Sequence, residues 1–441
     1  MSISNKFHHS PGGSQKTKRA VQRLFRVLLG VGILGMLSHT VWGYSVLTHQ
    51  AIIDSAWNDR IKPNLLQRFP NATEEQLRKA HAHAYGGAII QDMGYYPFGS
   101  KFFSDLTHYA RSGDFIEALI TESRDLNEYA FALGALAHYA ADNTGHPIGT
   151  NRAVPLVYPK LRARFGPEVT YADHPSSHIK TEFGFDVLQV ARGRYPPESF
   201  TDFIGFSVSK ELMERAFLRT YGLELKDVFG SLDLAIGTYR RAVGDIIPRM
   251  TRVAWETKKD EIEKLDPGIT RERFVYNLSR PDYHTRYGNE YRKPGIISRT
   301  LSWILRVVPK VGPLKVLAFR VPTPEAEKLF IESFNATVER YRAMLTTLKS
   351  GQLNLENRDF DTGRPTRAGE YRLADRTYAK LLEAIEEKDF EGVRPELKEN
   401  ILAFYGDLNA PIATKTERKD WQVTVRALNR LRSTKASAQL P

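Results

Sequence analysis

The chain has 441 residues, with 63 Lys and Arg against 51 Asp and Glu, and it contains no cysteine. This length supports one large helical domain with extensions, or two domains, and excludes a small stapled scaffold. Without cysteine there is no disulfide and no thiolate metal site, so any metal must be held by nitrogen and oxygen.

Residues 1–41 carry six basic side chains and no acid, and Lys16, Lys18, Arg19, Arg23 and Arg26 precede an apolar run of eleven residues from Val27 to Leu37. That run matches the core of a signal peptide and falls short of the roughly 20 residues that span a bilayer, so the segment reads as a signal peptide or an N-terminal anchor. An exported protein, periplasmic or secreted, is expected. Beyond this segment 57 basic and 51 acidic side chains remain, a net charge of +6. Such a balance suits an anionic surface or substrate and does not require nucleic acid.

Helical periodicity dominates from residue 46 to about 262, in VLTHQAIIDSAW, TEEQLRKAHAHAYGGAIIQDM, DLNEYAFALGALAHYAADN and DLAIGTYRRAVGDIIPRMTRVAWETKKDEIEKL. Alternating β patterns are nearly absent, so the expected class is all-α. Thr73 with Gln76 resembles a capping box, and Pro147 is expected to end the helix before it, because a residue preceding proline is pushed out of the α region. Proline and glycine thicken after Leu265. The expected organisation is a catalytic domain over 42–265, a linker over 266–295, a helical extension over 296–430 and a disordered tail over 431–441. Long helices are expected around PEAEKLFIESFNATVERYRAMLTTL and EYRLADRTYAKLLEAIEE. Residues 292–320 hold seven basic residues and no acid, interleaved with apolar ones including Trp303. This is the pattern of a segment that lies on an anionic membrane surface, or of a helix packed on the core with snorkelling basic ends.

His138, Asp142 and His146 stand four residues apart, and His178 and Glu182 repeat the step in HIKTE. On an α-helix residues i and i+4 stack on one face about 6 Å apart. Such pairs can close on one metal ion or hold two neighbouring ions, and imidazole with carboxylate is a ligand set that suits zinc. His81 and His83 lie two apart and cannot share a helix face, so they read as ordinary helix residues. His174 and His284 also stay outside the site.

Trp42 and His49 in WGYSVLTHQ, Asp92 in YGGAIIQD and His108 in THYAR complete an ordered set with these five residues. The order Trp, His, Asp, His, His-x3-Asp-x3-His, His-x3-Glu resembles the bacterial zinc-dependent phospholipase C family. It is similar too to the fungal single-strand-specific zinc nucleases, which share its helical fold. The resemblance covers residues 42 to about 190 and implies three zinc ions in a multi-helix domain. One ion would be held by Asp92, His108, His138 and Asp142, and a second by His146, His178 and Glu182. The third would take His49, Asp142 as a bridge, and the amino nitrogen and carbonyl oxygen of Trp42 as first residue. Two ions are expected if the chain is not cut before Trp42, where Val41 and His39 would occupy positions at which signal peptidase prefers small residues.

The chemistry implied is hydrolysis of a phosphodiester, with Asp92 orienting or deprotonating the attacking water. A phospholipase C cleaving phospholipid headgroups is the leading expectation. Glu182 favours it, since the nuclease branch usually closes its last motif with Asp, and the lack of cysteine leans the same way. The alternatives are a nuclease or nucleotidase acting on single strands, whose bases stack on aromatic side chains, and a helical metal-binding scaffold without catalysis. Nucleic acid is a partner only under the second of these three readings.

Overall fold

The computed structural model describes residues 46–191, 205–243, 319–416 and 418–434, with isolated positions between 255 and 270. The N-terminal segment with Trp42, the expected linker and the basic stretch up to residue 318 lie outside the described residues.

The described chain is all-α. Helix α1 spans Val46–Ala56, α2 Lys62–Arg68, α3 Glu74–Ile89, α4 Lys101–Tyr109, α5 Ser112–Glu122 and α6 Leu126–Gly145. Then come α7 Asn151–Val157, α8 Pro159–Phe165, α9 Pro175–Ala191, α10 Lys210–Tyr221, α11 Leu225–Val228 and α12 Leu232–Arg241. The extension contributes α13 Pro324–Lys349, α14 Arg372–Glu387, α15 Pro395–Phe404 and α16 Arg418–Ser433. No strand occurs among the described residues. None of their helices is long and apolar enough to cross a membrane.

Local chemistry accounts for the main boundaries. Thr73 Oγ1 accepts from Gln76 N at 3.2 Å while Gln76 Oε1 accepts from Thr73 N at 2.8 Å, so the capping box that opens α3 is fully formed. Asp125 opens α6 by accepting from Glu128 N at 2.8 Å. Helix α6 is small and apolar on every face, and it is buried from Tyr129 to Gly145, as such a helix must be. It crosses α3 at backbone contact: a Cβ on Gly134 would collide with the carbonyl of Ala84, and one on Gly87 with that of Phe131. That close crossing brings His138, one turn beyond Gly134, within reach of α3.

The α-helix ends at Gly145, just before Pro147 as expected, but not because the residue before proline leaves the α region. His146 keeps an α conformation (φ −64°, ψ −57°), and the chain continues through one π turn, His146–Thr150, into α7. Its i+5 bond runs from Asn151 N to His146 O. The wider turn gives the pyrrolidine ring room against the preceding carbonyls and bypasses the donor that proline lacks.

The extension shares the core of the N-terminal helices. Tyr341, Leu345, Leu355, Phe360, Tyr378 and Leu381 belong to one buried cluster with Leu133, Leu136 and Phe131. Each fully buried side chain of this kind contributes roughly 1.5–3 kcal/mol. Tyr341 Oη donates to Leu133 O at 2.9 Å and Tyr139 Oη to Glu356 O at 2.7 Å, so polar atoms at the seam are satisfied across it. Residues 431–434, expected to begin a disordered tail, are ordered instead: α16 runs to Ser433 because Leu428 and Leu431 fill the core, and Lys398 Nζ holds the carbonyls of Arg432 and Thr434, while the rest of the expected tail lies outside the described residues.

Candidate metal centre

Five stretches of the N-terminal region bring the donors together. Helix α1 carries His49, the 3-10 turn Ile90–Tyr95 after α3 carries Asp92, and α4, opened by Ser100, carries His108. Helix α6 and its π turn carry His138, Asp142 and His146, and α9 carries His178 and Glu182. All eight side chains are at most 4 % exposed, so their polar atoms face one another rather than water.

Asp142 stands at the centre. Its Oδ2 lies 3.2 Å from His138 Nε2 and 3.5 Å from His108 Nε2, while Oδ1 lies 3.6 Å from His49 Nε2 and 4.0 Å from His146 Nε2. Asp92 Oδ1 is 3.3 Å from His108 Nε2. On the other side Glu182 Oε1 is 3.2 Å from His146 Nε2 and 3.4 Å from His178 Nε2. Three groups can hold an ion, with donor atoms within 4.8 Å of one another: His49, His138 and Asp142; Asp92, His108 and His138; and His146, His178 and Glu182. His138 therefore serves two groups, and the two oxygens of Asp142 point to different sides, as a bridging carboxylate requires. Trp42, the remaining expected ligand, lies outside the described residues.

Backbone carbonyls fix the orientation of three imidazoles. His138 Nδ1 is 2.8 Å from Ala88 O, His108 Nδ1 2.7 Å from Ser104 O, and His146 Nδ1 3.1 Å from Phe360 O. A carbonyl can only accept, so each Nδ1 carries a hydrogen and each Nε2 is the ring atom turned to the cluster. Such contacts set the tautomer and orientation of metal-binding histidines.

Charge and burial pull these groups in opposite directions. Burial holds His49 and His178 down at about 3. Burial also opposes protonation of His108, but hydrogen bonds to Asp142 and Asp92 carry it up to about 10. Burial would raise Asp142, yet the charges of His138 and His146 hold it well below the usual carboxylate range. Burial lifts Glu182 to about 8 against the pull of His146.

The donors fit zinc. Both nitrogens of His178, both oxygens of Glu182 and Oδ1 of Asp142 are buried without a hydrogen bond. An unpaired buried polar atom costs about 1–3 kcal/mol, and more when charged. A cation coordinated by these atoms would remove that penalty, and nitrogen with carboxylate oxygen is zinc chemistry.

Two supporting residues escaped the sequence reading. Asp186 continues the 178, 182 register by one more turn of α9, and there it accepts from Thr48 Oγ1 at 2.6 Å and Leu47 N at 3.2 Å, tying down the start of α1 beside His49. Its spacing could have revealed it. Asp361, in a loop of the extension, sits with Oδ1 3.4 Å from His146 Nδ1, and no periodicity points to it. His81 pairs with Asp54 at 2.9 Å and stacks on Trp57, away from the cluster, as an ordinary helix residue would.

No curated protein and no solved structure matches the chain. Residues 48–231 match the family model for zinc dependent phospholipase C, a span that contains all eight donors and stops short of the extension. Over that stretch, the chain is similar to the zinc-dependent phospholipase C family.

Proposed function

We propose that the protein is a zinc-dependent phosphodiester hydrolase, and specifically a phospholipase C that releases diacylglycerol and a phosphorylated alcohol from a phospholipid. The observation that carries this reading is the convergence of five imidazoles and three carboxylates on one buried cluster, inside the region that matches the family. Zinc, when bound, supplies a water that ionises near neutral pH and a positive field for the phosphoryl oxygens. Asp92 orients or deprotonates the attacking water. Asp142 would hold neighbouring cations with its two oxygens and screen their repulsion, and His146, His178 and Glu182 would hold the ion that polarises a phosphate oxygen. A third ion completes the set if Trp42 is the first residue of the mature chain.

Residues 292–320 are proposed to meet an anionic lipid surface. Support comes from its end: Phe319 packs on Phe183, the residue after Glu182, with ring centroids 5.3 Å apart, so residue 319 lies against the helix that carries two of the donors. The test is turnover by the zinc-loaded protein of a phosphatidylcholine analogue, a phosphatidylinositol analogue and single-stranded DNA, with the lipids in vesicles with and without anionic lipid. Turnover of lipid, faster on anionic vesicles, is expected. Turnover of DNA alone would establish the nuclease reading, none of the three the scaffold, and equal rates on both vesicles would remove the membrane contact. Asp92→Asn is expected to lower turnover by about 100-fold or more while metal content stays, within the usual range for a lost general base; unchanged turnover rejects its role.

A further inference from the structure

The loop between α13 and α14 supplies no donor to the cluster, yet it lies directly behind it. Phe360 N donates to His108 O at 3.1 Å, and the Phe360 ring packs at 5.1 Å from His108, 5.9 Å from His138 and 5.6 Å from Tyr139. The next residue, Asp361, is 2 % exposed. One oxygen, Oδ1, faces His146 Nδ1 at 3.4 Å, and the other accepts from Tyr109 Oη at 3.1 Å and from Tyr371 Oη. Its backbone carbonyl accepts from Asn151 Nδ2 at 2.6 Å, just past the π turn. The carboxylate is thus clamped from α4 and from the loop before α14, and the backbone of the same residue is held from α7.

We infer that Asp361, with the carbonyl of Phe360, is the positioning pair for His146, so that the extension completes the metal centre from outside the family domain. This rests on the zinc reading above. The single Nδ1–H of His146 is shared between the Phe360 carbonyl at 3.1 Å and the Asp361 carboxylate at 3.4 Å. The carbonyl is the nearer acceptor and fixes the ring plane. The carboxylate adds a negative charge on the far side of the ring, which raises the electron density that Nε2 offers to a cation. Tyr109 and Tyr371 hold that carboxylate where it can act.

The test compares the full-length wild type with Asp361→Asn, which keeps the size and an accepting oxygen but removes the charge. Cobalt(II) replaces zinc as the probe, because its visible absorption reports ligand geometry. Wild type is expected to bind cobalt tightly. Asp361→Asn is expected to bind it 10–100-fold more weakly, the range typical of partners behind a ligating histidine. Its cobalt spectrum should be altered while the melting temperature of the metal-free protein stays within a few degrees. Equal affinity and an unchanged spectrum overturn the inference and leave the zinc reading standing. Absence of cobalt and zinc binding by the wild type overturns both. If Asp361→Asn does not fold, Tyr371→Phe takes its place, losing one hydrogen bond to the carboxylate, with an expected loss of affinity of roughly 3–10-fold; no loss there also overturns the inference.

Discussion

The region up to residue 231 and the extension beyond residue 319 contribute to the same centre in different ways. The first supplies all eight described donor side chains, from five stretches that converge through helix stacking and through the contact of Gly134 with α3. The second supplies no donor, and instead presses Phe360 against two of the histidines and Asp361 behind a third. The comparison teaches that ligand identity and ligand orientation can be divided between parts of a chain. The family match ends before the part that orients, so the match alone describes an incomplete centre.

The sharpest way to break this division is at a shared donor. His138→Ala removes a ligand from two groups, and metal analysis is expected to find more than one equivalent lost, with only the His146, His178 and Glu182 group still loaded. Turnover should fall by more than the roughly 100-fold that marks the upper end for a supporting residue. Unchanged metal content would mean that the donors do not act as one cluster.

Proton competition gives the next effect. Glu182 sits at about 8 and His108 at about 10 in the metal-free protein, both raised above their ordinary values. A ligand must lose its proton to bind, so zinc affinity rises with pH, about tenfold per unit for each proton displaced. The stability sign agrees. The neutral Glu182 carboxyl favours the metal-free fold fully below about 4.5, and this contribution is lost as pH rises through about 8. The zinc-induced rise in melting temperature should therefore grow from pH 6 to pH 8. Titration calorimetry in buffers of different ionisation enthalpy should count the released protons; a shift independent of pH would contradict the assignment.

At the seam itself, Gly363 has φ +66°, and a Cβ there would strike the carbonyl of Asn143, one residue past Asp142. Gly363→Ala is expected to cost about 1–3 kcal/mol in denaturant unfolding and to weaken metal binding as well, because the loop that seats Asp361 must shift. The smallest effect is the control. Thr73→Ala should cost about 1 kcal/mol by losing its cap and leave metal affinity unchanged. Together the two variants separate stability from orientation.

The parts of this architecture written in short-range spacing were legible. Thr73 and Gln76 are three residues apart and formed the expected box, and His138, Asp142 and His146 came from one register. His49, Asp92 and His108 carry no internal period, and only their order within a resemblance singled them out. Asp186 was legible in principle as the next step after Glu182, but a lone carboxylate in a helix is commonplace. Pro147 marked the end of the α-helix correctly, but the reason differed: His146 keeps α angles and the chain passes into a π turn. Phe360 meets His146 across 214 residues, and nothing in its own neighbourhood encodes that meeting. Amphipathic faces on α13 and α14 announced that the extension would pack, without naming the surface.

The docking of Phe360 on His108 and His138 also bears on the order in which the centre can mature. During synthesis the histidines leave the ribosome long before residue 360, so a nascent chain carrying every ligand still lacks the brace behind His146. High-affinity metal uptake then waits for the final third of the polypeptide, and a premature stop between residues 231 and 355 would leave a protein with the whole ligand set and a poorly aligned grip on its ion.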